Sequence, residues 1–516
     1  MWVLVICLIA FLVILISQWL QKWLNPKCNG RLPRGSMGLP IIGETIQFFS
    51  PHSFYGIPPF ISKRMTNLVG NLVVVSGDSE LNQYIFKEEG KSVYCSYTES
   101  ALKIMGEQSL LAYHGVFHKY LKNLTLSMIG PESLKEVLLH EMDAVTRKYL
   151  HSCSSYASFD VKEESANMVF EYFAKKLFGY EEAKASKKLR ESYKAFLDGL
   201  ISFPLNIPGT AFHACLKGRE NAIKVINNVI NERKSSQQLC HDFLDFLLEE
   251  AKSKDTILNE AIIVDLVFLL LFASYETTSE AITLVMKFLS DHPSVVVELT
   301  KEHEEILKNR KNEELGITWT EYKSMTFTHM VINETLRLGN IVPGIFRGVT
   351  KDIEMKGTTI PAGSTVMVCP SAVHLNPAKY NDPLAFDPWR WEGQELHAGS
   401  KNFVAFGGGS RLCAGAHFAK VQVAVFLHYL VTKYRRTKGA PESHPRRTRV
   451  TPKAHQSHTQ GAPKAHPRRT RGAFSGPPSV PQRRQKRRLE QLPEPRQRQR
   501  LNGAGVTPEP RLNSAG

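Results

Sequence analysis

Three rhythms of apolar and polar positions succeed one another along this chain. The first is unbroken. Met1 to Gln21 carries no charged side chain and runs Trp-Val-Leu-Val-Ile-Cys-Leu-Ile-Ala-Phe-Leu-Val-Ile-Leu-Ile. Coiled as a helix, this stretch spans roughly 30 Å, the thickness of a bilayer core. Trp19 and Trp23 suit an interface, and Lys22, Lys27, Arg31 and Arg34 follow while nothing basic precedes. That asymmetry predicts an anchor with the rest of the chain in the cytosol. A cleaved signal peptide is the competing reading, but the stretch lacks a basic leading region and a small-residue cleavage site. Leu32-Pro-Arg-Gly-Ser-Met-Gly-Leu-Pro40 then reads as a hinge. The expected organisation is an anchor over 1–24, a hinge over 25–40, a body over 41–436 and a tail over 437–516.

The second rhythm is mostly helical. Leu68 to Val75 reads as a strand, and much of Pro131 to Glu250 shows a helical period. Pro204 and Pro208-Gly209 divide that region into two helices with a connection between them. Asn259 is placed to cap a long helix from Glu260 to Ser290, which Asp291-His-Pro293 ends. Short strands are expected near Ile353–Ile360 and Thr365–Val368, and a further helix from Ala416 to Tyr434. The body is therefore mainly α with a minor β-sheet subdomain. Neither a Rossmann nor a P-loop fingerprint occurs in it.

The third rhythm is the tail. Gly-Ala-Pro-x-x-His-Pro-Arg-Arg-Thr-Arg occurs at Gly439–Arg449 and again at Gly461–Arg471. Apart from Phe474 the tail has no aromatic residue, so it is expected to stay disordered. The tail also explains the net charge of +16. From Arg435 onward 20 Lys and Arg stand against 4 Asp and Glu, leaving 45 of each in the rest of the chain. The body is neutral, and the high charge says nothing about its partners. Eight cysteines are scattered without a C-x-x-C pair, which fits a reducing compartment and excludes a zinc cluster.

Chemistry concentrates in Phe406-Gly-Gly-Gly-Ser-Arg411-Leu-Cys413-Ala-Gly415. A thiolate on a tight, Gly-rich loop at a helix N-terminus is a sulfur ligand for haem iron, its pKa lowered by the helix dipole and backbone N–H groups. The glycines would let backbone approach the macrocycle, Phe406 would lie against the haem near the sulfur, and Arg411 would meet a propionate. A buried structural cysteine in a turn is the bland alternative. Ala273-Ser274-Tyr275-Glu276-Thr277-Thr278 places an acid and an alcohol at mid-helix. Thr277 can bond back to the carbonyl of Ala273 and distort that turn, and Glu276 can relay protons from solvent. Alone, this segment equally fits a helix surface patch. Glu334-Thr-Leu-Arg337 puts acid and base on one helix face, which by itself reads as a surface ion pair.

Taken in order, these motifs resemble the cytochrome P450 family from about Leu32 to Arg436. Ser202–Thr210 and Phe272–Thr278 resemble the plant membrane-bound members that oxidise sterols, triterpenoids and brassinosteroids, beta-amyrin oxidases among them. The resemblance implies a haem-dependent monooxygenase in the endoplasmic reticulum membrane. It would insert oxygen from O2 into a C–H bond of a terpenoid or sterol-like substrate, fed by an NADPH-cytochrome P450 reductase. By the same resemblance Cys413 is the metal ligand, Glu276 and Thr277 are catalytic, and Phe406, Arg411 and Gly415 flank the haem. Pro383-Leu-Ala-Phe-Asp-Pro-Trp-Arg390-Trp391 supplies Arg390 to a buried triad with Glu334 and Arg337. Arg347 matches a propionate-binding position. His118 and Lys122 stand where the family has W-x-x-x-R. Substrate contacts are expected within Tyr94–His114, Phe203–Phe212, Leu269–Phe272, Asn340–Phe346 and Val366–Pro370.

Departures from the pattern are Arg34 for a hinge proline, Ser274 for a glycine, and the missing C-terminal β-hairpin with its substrate-facing loop after Tyr434. A frameshifted end, a genuine disordered extension and a nucleic-acid-binding arm are the three accounts of that end. Two other functions therefore stay open. One is a catalytically dead or unstable product lacking its hairpin. The other is an O2-independent haem-thiolate isomerase or dehydratase, which the Glu276–Thr277 pair disfavours.

Overall fold

A computed structural model of the chain describes residues 2–24, 28–39, 43–49, 61, 65–68, 71–154, 159–181, 189–236, 240–254, 256–310, 316–394, 400–436 and 489–491. The expected hinge is described over 28–39 only, and the repeats of the tail lie outside the described residues.

Helix α1 (Trp2–Leu24) is mostly exposed where its side chains are described. Val5–Trp23 has a mean hydropathy of 2.0 with none of it buried, so by length and composition it can cross a membrane. Trp19 and Trp23 stack at 5.8 Å near its end.

The body begins with α2 (Thr45–Phe49), β1 (Met65–Leu68), β2 (Asn71–Ser76), α3 (Ser79–Lys87), β3 (Val93–Cys95), α4 (Glu99–Met105) and α5 (Gly115–Ile129). It continues through α6 (Pro131–Ser133), α7 (Leu139–Ser154), α8 (Val161–Phe178), α9 (Leu189–Leu200), α10 (Ala211–Ser236) and α11 (Phe243–Glu250). The central α12 (Glu260–Asp291) is followed by α13 (Pro293–Asn309), α14 (Trp319–Ser324) and α15 (Thr326–Gly339). Strands β4 (Ile345–Val349), β5 (Ile353–Met355), β6 (Thr358–Ile360) and β7 (Thr365–Val368) come next, then α16 (Pro370–His374), α17 (Ala416–Lys433), β8 (Tyr434–Arg436) and β9 (Leu489–Gln491).

The mainly helical reading holds, but the strands differ in detail. The run expected over Leu68–Val75 is two antiparallel strands, β1 and β2, because Leu68 pairs with Asn71 and the chain reverses between them. Ile353–Ile360 is likewise the β5–β6 hairpin, turned by Lys356 (φ 51°) and Gly357 (φ 72°), the left-handed pair that two-residue hairpins favour. The main sheet runs β1-β2-β7-β4-β3, with β2 and β7 parallel. After α17, Tyr434, Arg435 and Arg436 pair with Gln491, Glu490 and Leu489. The tail, expected to be disordered throughout, thus contributes one short strand among the described residues.

Helix α12 organises the core. Asn259 caps it by accepting the Ile262 N–H at 2.9 Å. Ile262–Leu271 are buried on every face, a pattern that reads as an internal helix. Tyr193 and Phe196 of α9 pack on Phe268 at ring distances of 5.0 and 5.1 Å, and Phe170 of α8 packs on Tyr275 at 5.1 Å. The α9–α10 break falls at 201–210, where the prolines placed it.

Candidate functional site

The cysteine loop enters from Val404, whose N–H donates to His374 Nε2 at 3.0 Å. Gly407 and Gly409 have φ of 73° and 65°, a left-handed backbone that glycine adopts without strain. A Cβ on Gly408 would fall 2.6 Å from the Phe86 ring of α3, and one on Gly409 would strike the Phe86 carbonyl. The smallness of Gly408 and Gly409 thus admits α3, a neighbour the sequence did not indicate. Gly415 has an ordinary φ of −87°, and a Cβ there would meet Cys413 Sγ only at 3.9 Å.

Cys413 is held by its own backbone, donating N–H to the Phe406 carbonyl at 3.1 Å. Burial raises its thiol pKa, and the Gly415 N–H and the charge of Lys122 oppose that rise. Both opposing groups favour the thiolate. Yet Cys413 counts as exposed. A residue enclosed by protein and still accessible lines an internal cleft. Helix α12 shows the same signature at mid-length, where Ala273 is exposed and Thr277 half-buried between buried stretches.

Around the loop, cations converge. Lys122 of α5 donates to the carbonyls of Ser410 and Leu412, both at 2.8 Å, tying α5 to the loop. Arg411 Nε lies 3.2 Å from Glu89, and its Nη2 donates to Tyr113 O at 2.6 Å and meets His114 Nδ1 at 2.9 Å. Arg347 of β4 reaches the other oxygen of Glu89 at 2.7 Å. His118 is buried beside them. Burial first, then Arg411 and Lys122, push its pKa down to about 4, so it is neutral at pH 7 and reports a positive surrounding. Arg347 and Arg411 share the Glu89 carboxylate while Lys122 bonds to loop carbonyls, so around His118 the three cations outnumber this carboxylate, a surplus that suits haem propionates. The accessible thiol, the cleft at Ala273 and this surplus together fit a haem. Glu89 was missed in the sequence, because Lys-Glu-Glu-Gly-Lys gives no sign that its second glutamate meets two distant arginines.

On α12, Thr277 Oγ1 donates to Ala273 O at 2.7 Å as expected. The helix continues unbroken through this turn, so the expected distortion does not interrupt it. Ser274 Oγ spends its proton on Leu271 O at 2.9 Å. Glu276 lies 3.8 Å from Lys162 of α8, and Lys162 lies 3.0 Å from Glu280. Burial raises the Glu276 pKa, Lys162 lowers it, and Glu280 and Asp198 raise it further. Lys162 is 48% exposed, so the acid has a polar route to solvent.

The third constellation is internal at Glu334 and Arg337 and half-buried at Arg390. Glu334 and Arg337 are wholly inaccessible and joined by two bonds of 2.8 Å, and Arg390 Nε reaches Glu334 at 2.9 Å. Trp391 Nε1 and the Asp387 N–H also donate to Glu334, both at 3.0 Å. Arg337 donates onward to His374 O and Pro383 O at 2.7 Å. His374 is the hinge of this brace, since its ring accepts Val404 N–H at the head of the cysteine loop. Burial pushes its pKa down to about 3, which keeps Nε2 an acceptor. No sequence signal distinguishes it from a solvated histidine.

Comparison with known proteins agrees with this geometry. The Cytochrome P450 family matches residues 33–455. Cytochrome P450 87A3 of Oryza sativa subsp. japonica is 50% identical over 82% of this chain and 85% of its own length. Cucurbitadienol 11-hydroxylase of Siraitia grosvenorii is 42% identical over 85% of this chain and 94% of its own. Among solved structures, retinoic acid-bound cyanobacterial CYP120A1 superposes with a TM-score of 0.70 at 25% identity, covering 80% of this chain and 94% of that one. An enclosed thiol before α17, a cationic cradle and an acid–alcohol pair on the core helix, in a chain so matched, make this protein a member of the cytochrome P450 family, a haem-thiolate monooxygenase.

Proposed function

We propose that this protein hydroxylates or oxidises a C–H bond of a triterpenoid or sterol-like substrate, using O2 and electrons passed from NADPH by a reductase. The observation that carries the reading is Cys413, enclosed yet accessible, with its N–H fixed and a surplus of cations beside it. Cucurbitadienol is the substrate in the name of one relative, and the largely apolar stretches expected to meet substrate suit such a polycyclic molecule. Helix α1 would anchor the chain in the endoplasmic reticulum membrane with the body over 41–436 in the cytosol.

Haem bound through Cys413 supplies the oxygen-activating chemistry. Arg347, Arg411, His118 and Lys122 bind and orient its acidic edge, Phe406 and Gly415 flank the sulfur, and Glu334, Arg337 and Arg390 brace the loop. Thr277 holds a hydroxyl proton at the cleft. Glu276 gains its proton more readily than a solvated carboxyl and passes it inward from the Lys162 side.

The test is turnover in microsomes with a plant reductase, NADPH, isotopically labelled dioxygen and a panel of triterpenes and sterols. One labelled oxygen atom in the product supports the reading. An unlabelled, O2-independent product sinks it. A chain that fails to keep haem until a family-type C-terminus is restored favours the dead-product alternative.

A further inference from the structure

Asp265 lies on α12 three turns before Glu276, and the chemistry above makes no use of it. It is 9% exposed in the most apolar part of the core helix. Its Oδ1 pairs with Arg219 Nη2 of α10, and its Oδ2 accepts the Gln108 N–H at 2.9 Å. Gly106, with φ of 106°, brings the chain so close that a Cβ there would fall 2.6 Å from the carboxylate. The Arg219 guanidinium lies over the Phe268 ring at 5.1 Å. Three elements therefore meet on one carboxylate: the core helix, α10, and the segment over 106–114 that joins α4 to α5.

The other end of that segment is also tied. Arg411 donates to Leu110 O at 3.4 Å and to Tyr113 O at 2.6 Å. The segment thus spans from the α10–α12 junction to the arginine two residues before Cys413. A buried ion pair is weak evidence of stabilisation, since an apolar pair of similar volume often does as well. A pair that also accepts a backbone N–H from a loop has a different use: it fixes where that loop sits. Charge-assisted bonds do this more firmly than neutral ones.

We propose that Asp265 and Arg219 are positioning residues that clamp the segment over 106–114 against α12 and close one side of the substrate cleft. Assigning that cleft to substrate rests on the function proposed above. The clamp itself rests on the contacts alone. Opening the segment means parting the Gln108 N–H from Asp265. Losing a charge-assisted bond of this kind raises the open population about tenfold.

Hydrogen exchange on the full chain tests the clamp without reference to turnover. Asp265→Leu removes both contacts. Gly106→Ala keeps both charged side chains but drives a methyl against the carboxylate from a backbone conformation alanine rarely adopts. Both variants should exchange amides in 106–114 about tenfold faster than the parent, with α10 and α12 accelerated clearly less. Arg219→Met, which keeps the Gln108 bond, should fall between. Association of clotrimazole with the haem should accelerate by a similar factor in both variants, while rebinding of the much smaller carbon monoxide stays within about twofold. Unchanged exchange in 106–114, or equal acceleration across α10 and α12, overturns the clamp. If Asp265→Leu does not fold, Gly106→Ala decides alone. If the parent binds neither clotrimazole nor carbon monoxide, the haem reading falls while exchange still decides the clamp.

Discussion

Replacing Glu334 by alanine removes the acceptor of five hydrogen bonds at once, from Arg337 twice, Arg390, Trp391 and the Asp387 N–H. Arg337 is wholly inaccessible, so the substitution strands a buried guanidinium. Breaking such a pair costs about 3–5 kcal/mol. Folded domains hold only about 5–15 kcal/mol in total. The loss reaches the site along a stated path, from Arg337 to the His374 carbonyl and from the His374 ring to Val404. Glu334→Ala should therefore purify with little haem, read as Soret absorbance against protein absorbance. It should also melt on the order of 5 °C lower. Glu334→Gln keeps the shape and one acceptor oxygen, and should retain more haem than the alanine variant. A Glu334→Ala protein with parental haem content and melting temperature would refute the brace, as would one that keeps haem and changes only its product.

Thr277→Ala should leave the haem spectrum unchanged while product per NADPH consumed falls about a hundredfold, the low end of what one positioned proton donor contributes. Full coupling in that variant would remove Thr277 from the proton route. Glu276 has a folded pKa raised by burial, so its ionisation opposes folding as pH rises from the unfolded value through the folded one. Glu276→Gln should melt above the parent at pH 8 and level with it at pH 4, and identical profiles would show that burial does not strain this acid. His303 and His428 meet ring to ring at 3.0 Å, and burial pushes their pKa values down to about 4 and about 2. Both are depressed, so the stability they permit is complete above about pH 6.5 and is lost as pH falls below it, by about 1.4 kcal/mol per pH unit for each. Melting temperature should drop steeply between pH 6 and 4.5, less so in His428→Leu, and a flat profile would contradict the buried neutral pair.

What the sequence revealed and what it hid divide along physical lines. Helix α12 was legible to within one residue at its C-terminal end, because an Asn cap, an apolar run and a proline stop are local signals. Glu334 and Arg337 were legible as a pair, since i and i+3 share a helix face, but Arg390 joins them across 56 positions and required the family resemblance. Glu89, His374 and Asp265 were not legible. Each is defined by partners more than 20 positions away, Arg347 and Arg411 for Glu89, Val404 for His374, and Arg219 for Asp265. The glycines of the cysteine loop read as sites of close approach, but Phe86 as the neighbour of Gly408 and Gly409 did not, because tight approach is visible in sequence while the approaching surface is not.

The central claim is an iron held by the sulfur of Cys413. It is tested by the difference spectrum of the reduced protein with carbon monoxide, recorded for the parent and for Cys413→Ser. The account predicts the red-shifted Soret band of thiolate ligation in the parent and its complete loss in the variant. A parent without that band, or a variant that keeps it, would contradict the account.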